Sequence, residues 1–201
     1  CMVPEKKITP EDIKYVLSSH YQGTPYDPNA SHAAMGGIFR TIGINRNNFM
    51  SLIQMRPYVP EDYRAVEWIA FASNTFNVMA PFYANVSATP AYLANTTKEV
   101  STDNFYWSSR LIAAMADASY SKSVFHIERY QLAVQSKGHE LINKYDEMLR
   151  QEEDPANRAA LREQANQEIA DMVKKETADT LDKVLFELSN QMKNSYSRSD
   201  A

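Results

Sequence analysis

Arg150-Gln151-Glu152-Glu153-Asp154-Pro155-Ala156 separates two long amphipathic patterns by too few residues for anything but a reversal of direction. Before it, Val124, Ile127, Val134, Leu141, Tyr145 and Met148 recur at helical spacing; after it come Leu161, Ala165, Ile169, Met172, Leu181, Val184, Leu188 and Met192. Asp154 followed by Pro155 reads as a cap and a first helical residue, because the aspartate side chain can accept free backbone N–H groups and proline has none to waste. The second helix spans ~50 Å at about 1.5 Å per residue, so a long antiparallel helical hairpin is expected. Gly138 falls on the apolar stripe of the first, where the missing Cβ permits close approach of another element.

Working upstream, Ser101 or Thr102 is expected to cap one more helix, with Trp107, Leu111, Met115 and Ala118 on its inner face. Earlier residues are richer in Gly, Pro and Asn, which places a division near residue 101: an α+β part over 1–101 and a helical part over 102–201. In the first part, Phe39–Gly43 and Phe49–Arg56 read as strands joined through Asn-rich residues 45–48, giving a β-hairpin. Ala65–Ala72 and Val78–Val86 read as two further strands that extend the sheet in an antiparallel manner. Thr9-Pro10-Glu11-Asp12 opens a short helix running to about His20, with Ile13, Val16 and Leu17 on one face. Residues 22–37 lack apolar periodicity and form a long loop. The fold class is therefore α+β, with antiparallel strands followed by the helical hairpin.

Composition limits the function. Of 201 residues 44% are hydrophobic and 23% charged, with twelve Tyr, eight Phe and two Trp, which is globular rather than disordered. The formal charge of -4 excludes a nucleic-acid partner recognised through basic excess, and residues 139–201 hold nine Lys/Arg against fourteen Asp/Glu. No apolar run approaches the length of a membrane span, so no membrane partner is expected. One cysteine excludes a disulfide framework and leans toward a cytoplasmic location. The start, Cys1-Met2-Val3-Pro4, reads as a chain cleaved or cut from something longer.

Few residues carry chemistry by pattern alone. His139-Glu140-Leu141-Ile142-Asn143 starts like a helical zinc site and fails where Asn143 replaces the second histidine, so neither a metal nor any other cofactor is expected. His126 and Glu128 point to different sides of a helix. His20 and His32 flank the loop and could act as bases, but lack a placed nucleophile. Glu152, Glu153 and Asp154 suit the helix dipole, and Phe105, Tyr106 and Trp107 suit a core. Cys1 could combine thiol nucleophile and α-amine base, but Pro4 and the charged Glu5-Lys6-Lys7 disfavour a buried strand behind it.

Several segments together resemble a known family. They are Ser18-Ser19-His20-Tyr21-Gln22-Gly23-Thr24-Pro25-Tyr26-Asp27-Pro28, Phe39-Arg40-Thr41-Ile42-Gly43-Ile44-Asn45-Arg46, Ala70-Phe71-Ala72-Ser73-Asn74-Thr75-Phe76-Asn77, Pro81-Phe82-Tyr83-Ala84-Asn85-Val86, Ser101-Thr102-Asp103-Asn104-Phe105-Tyr106-Trp107 and His126-Ile127-Glu128-Arg129-Tyr130-Gln131. In this order they resemble the C-terminal portion of the dipeptidase A type cysteine dipeptidases, which are N-terminal-nucleophile hydrolases. The resemblance implies an αββα sandwich, of which this chain supplies part, and cleavage of dipeptides by a cysteine at the mature N-terminus of the whole protein. The residues after Cys1 do not match the strand that follows that nucleophile, so Cys1 is not carried over. Expected partners are a small peptide substrate, the N-terminal part of the same enzyme, and a second copy of the chain if an apolar sheet face stays open; the fragment alone is expected to be inactive.

Within that frame Asn45 is the candidate oxyanion donor and Arg46 the candidate ligand of the substrate carboxylate, since a guanidinium forks onto a carboxylate as lysine cannot. A different reading is a non-catalytic helical interaction module docking through the acidic hairpin Val124–Met192.

Overall fold

The computed structural model describes residues 3–30 and 33–194. Thr9 caps α1 (Pro10–Leu17) reciprocally: its Oγ1 accepts from the Asp12 backbone N–H at 3.2 Å, and Asp12 Oδ2 accepts from the Thr9 N–H at 2.9 Å. The face of α1 turned inward is not the expected one. Val16 is exposed and Ile13 and Leu17 are half-buried, whereas Lys14 is buried because its long chain carries the ammonium to acceptors below.

Strand β1 (Phe49–Met55) pairs antiparallel with β2 (Ala65–Phe71), and β2 pairs antiparallel with β3 (Ala80–Tyr83), in the order β1-β2-β3. A 3-10 turn over Glu61–Tyr63 lies in the β1–β2 connection. Val66, Trp68 and Ala70 alternate inward along β2, opposite Met50 of β1, and form the sheet's contribution to the core. The expected strand Phe39–Gly43 is absent. The backbone N–H groups of Ile42 and Gly43 both donate to Ser19 O instead, at 3.0 and 2.9 Å, and Ile38, Phe39 and Ile42 are exposed. An apolar run was not sufficient for a strand where the chain's donors found a single carbonyl.

After the short α2 (Ala91–Ala94) come α3 (Phe105–Ala118), α4 (Tyr120–Gln151) and α5 (Pro155–Ser189). The cap of α3 is Asn104, two residues beyond Thr102 and three beyond Ser101, and its Oδ1 accepts from the Trp107 N–H at 2.8 Å. Its buried stripe is Phe105, Ile112, Met115 and Ala116; Ala118 is exposed. Asp154 caps α5 as expected, accepting from the N–H groups of Ala156 and Asn157. The antiparallel hairpin of α4 and α5 buries Ile127, Tyr130, Val134, Ile142, Tyr145 and Leu149 against Ala165, Ile169, Ala170, Val173 and Val184 and against β3. Leu181 is half-buried and Met192 lies exposed past the helix end. A Cβ at Gly138 would sit 2.7 Å from Pro81 Cδ, so the close approach read from the sequence is that of β3.

Polar side chains lock this packing. Asn166 on α5 accepts from the Tyr83 N–H at 2.8 Å and donates to Tyr83 O at 2.9 Å, closing the outer edge of β3 as a neighbouring strand would. Buried Arg56 donates to Asp146 of α4 at 2.5 and 3.2 Å and to Tyr63 O at 2.6 Å, while Tyr83 Oη donates to Asp146 Oδ1 at 2.8 Å. The opposite sheet face stays open along β1, where Phe49, Ile53 and Met55 are each more than half exposed. No helix among the described residues is long and apolar enough to cross a membrane.

Candidate functional site

The site is organised by the turn that joins β2 to β3. Ala72 leaves β2 at φ +67°, in the left-handed region where a side chain is crowded, and its N–H is held by Asn48 O at 2.9 Å. Beyond it, Ser73, Asn74 and Asn77 are buried polar residues. Asn77 Nδ2 donates to Ala72 O and Asn74 Oδ1, and Gln131 of α4 donates to Thr75 O and Asn77 O, both at 3.1 Å. Such a buried network fixes the backbone because each lost bond would strand a polar group away from water.

This turn carries the Asn45 loop. Thr75 Oγ1 donates to Gly43 O at 3.0 Å, and a Cβ at Gly43 would meet Ser18 O at 2.7 Å and Thr75 Oγ1 at 2.9 Å, so only glycine fits. The next residues close a tight turn through Asn47 N to Ile44 O at 3.1 Å, with Asn45 and Arg46 at its middle and both exposed. Asn45 lines a cavity of about 470 Å³ together with His20, Ser73, Thr75, Arg110 and Asp117; Arg46 stands on the turn beside it, outside the described wall. Arg110 and Asp117 lie two turns apart on one face of α3, and Arg110 Nη1 is steadied by Asn48 Oδ1 at 2.8 Å. The cavity thus offers an amide, a guanidinium, a carboxylate and an imidazole to a small polar ligand.

His20 stands in the wall between this cavity and a second one, of about 370 Å³, lined by Glu11, Lys14, Thr75, Phe76, Tyr120 and Glu128 among others. Its Nε2 lies 3.0 Å from Tyr120 Oη and its Nδ1 3.4 Å from Ser18 O. Burial, with Asp27 and Glu128 nearby, raises the Tyr120 hydroxyl above its ordinary pKa. At the floor of the second cavity Lys14 Nζ donates to Ser18 Oγ at 2.7 Å and to Asn74 O at 2.5 Å. Removal from water pushes its pKa down to about 7.

Sequence reasoning singled out His20 and Asn45, which share a cavity, and placed the connection after Ala72, but missed Lys14, Arg110, Asp117 and the left-handed backbone of Ala72. The spacing of Arg110 and Asp117 on one helix face was a usable signal; nothing near Lys14 announced its burial. His139 and His126 are used structurally, at 2.7 Å from Glu11 and 3.4 Å from Glu187, and the His139 ring packs 5.0 Å from that of Trp68. Among the described residues no group of three His, Cys, Asp or Glu side chains could hold a metal ion. Cys1 and His32 lie outside the described residues.

Comparison with known proteins places this sequence in a family. The profile of Peptidase family C69 matches residues 1–133. A "Dipeptidase" of Bifidobacterium longum is 41% identical over 98% of this chain and 44% of its own length. A "Probable dipeptidase A" of Streptococcus pyogenes is 43% identical over 100% of the chain and 42% of its own, and a "Probable dipeptidase B" of Lactococcus lactis is 36% identical over 94% and 40%. The chain belongs to Peptidase family C69. It spans less than half the length of these curated relatives.

Proposed function

We propose that this chain is the C-terminal portion of a cytoplasmic thiol dipeptidase whose N-terminal cysteine nucleophile lies in the remaining part of the protein, and that Cys1 is not that nucleophile. The observation that carries the reading is the similarity to dipeptidases along the whole chain, including the turn and loop segments that build the Asn45 cavity. The chain's part in the reaction is to form pocket wall and polar contacts. Asn45, which lines the cavity, donates its amide to the developing oxyanion, and Arg46, exposed on the same turn, forks onto the free carboxylate of the dipeptide. Glycine at position 43 permits this placement, because the Asn45 turn hangs directly from the Ser18 and Thr75 contacts.

The test is steady-state hydrolysis of dipeptides by the full-length enzyme. Arg46→Lys is expected to lower kcat/KM roughly tenfold or more with an unchanged melting curve, since lysine keeps the charge and loses the bidentate geometry. Parental kcat/KM in Arg46→Lys would remove Arg46 from the substrate contacts.

A further inference from the structure

Among the described residues Lys14 is a buried cation with no anion beside it. Only 6% of its surface is exposed, its two hydrogen-bond acceptors are neutral, and among the described residues it forms no ion pair. Taking an ammonium out of water is costly unless an anion repays the loss, and a hydroxyl and one carbonyl oxygen do so only in part. Three N–H groups on Nζ against two acceptors leave one donor for the cavity it floors. That cavity, about 370 Å³, is of the size that holds small metabolites, with an apolar wall from Phe76, Met79 and Ile127. Opposite charge stands in the same wall: Glu128 is exposed, and Glu11 is held by His139.

We propose that this second cavity binds an α-amino acid group, its carboxylate received by the Lys14 ammonium and its own ammonium by the Glu128 carboxylate. A buried ammonium at the floor and a carboxylate in the wall match the two charges of a zwitterion, and an apolar wall beside them accommodates an aliphatic side chain. The low pKa of Lys14 belongs with this arrangement, because a bound carboxylate restores the charged form and so takes up a proton near neutral pH. The site stands apart from Asn45 across the wall of His20, Thr75 and Phe76. A free amino acid released by hydrolysis presents both charges on one carbon, whereas a dipeptide carries its carboxylate and its ammonium on different residues; only this choice of source rests on the dipeptidase reading.

Calorimetric titration of the full-length protein with alanine, acetate and methylamine tests the site without reference to turnover. Alanine is expected to bind at least tenfold more tightly than acetate or methylamine, with proton uptake at pH 8, and Lys14→Met to lose at least tenfold in alanine affinity. Glu128→Gln, a change at an exposed position, is expected to weaken alanine and leave acetate unchanged. Equal alanine affinity in the parent and in a folded Lys14→Met, or no saturable alanine binding in the parent, would overturn the proposal. The source is read in the hydrolysis assay. A retained KM with loss of alanine inhibition in Lys14→Met marks the released amino acid as the occupant, whereas a tenfold rise in KM would put the substrate's own carboxylate on Lys14 and overturn the assignment of a separate amino acid site. If the parent hydrolyses no dipeptide, the reading of function fails while the alanine titration still decides the site.

Discussion

The helical hairpin with its sheet and the loops before β1 are built on different principles. In the first, apolar side chains at helical and strand periods close on one core, and the polar groups within it, Arg56, Asp146, Tyr83 and Asn166, bind one element to the next. In the second, residues 18–48 keep Ile38, Phe39 and Ile42 exposed and hold their course by single backbone acceptors such as Ser19 O and by the Thr75 hydroxyl. Stability is therefore concentrated in one region, while the other brings His20 and Asn45 to cavities whose remaining charged walls, Arg110, Asp117 and Glu128, stand on the helices; the two meet at the Ala72–Asn77 turn. Substitutions in the core should move the melting curve, and substitutions in the loops should move function.

The largest expected effect is at Asp146. Its removal leaves Arg56 buried without an anion and Tyr83 Oη without an acceptor on that side, so Asp146→Ala should cost about 3–5 kcal/mol in denaturant unfolding. A loss under about 1 kcal/mol would mean that the network does not join sheet to hairpin. A smaller effect, about 1–3 kcal/mol, is expected from Gly138→Ala, whose Cβ would press on the Pro81 ring at 2.7 Å between two packed elements. Unchanged or raised stability, as alanine's helix preference alone would give, would show that β3 can retreat.

Lys14 sharpens the contrast through pH. Its pKa in the folded chain, about 7, lies below the ordinary 10.5, so between these values the unfolded chain holds a proton that the folded chain lacks. Folding stability from this group therefore rises with pH across that window and is most penalised below about pH 7. Relative to Lys14→Met, the unliganded parent should gain stability as pH rises from 7 to 10, whatever constant offset the lost hydrogen bonds impose. A pH-independent difference between the two would place the ammonium in contact with water.

The two regions also differ in how far their sequence discloses them. The hairpin was legible because its burial repeats every three or four residues and Asp154-Pro155 can only cap and start a helix. Strands β2 and β3 were legible from their apolar runs, although β3 is shorter than expected: its pairing runs out at Ala84, whose N–H donates to Ala65 O at the start of β2. Phe39–Gly43 misled, since β-branched and aromatic residues record a preference for pleated surfaces while the partner for their N–H groups is set by the whole fold. Lys14 was invisible for a related reason: burial of a lysine depends on the acceptors Ser18 and Asn74, and Asn74 lies far away in the chain. The Asn45 turn is legible in the Asn-rich residues 45–48 and its candidate role in the family resemblance, whereas its support by Gly43 and Thr75 emerges only in three dimensions.

The central claim, that the loop carrying Asn45 serves the chemistry and the core holds the fold, is tested most directly by one pair of measurements on Asn45→Ala in the full-length enzyme: turnover of a dipeptide and the denaturant midpoint. Asn45 is exposed and lines the cavity without packing in the core, so kcat should fall roughly a hundredfold while the midpoint stays within error of the parent. Parental turnover, or a lowered midpoint that accounts for the lost activity, would contradict it.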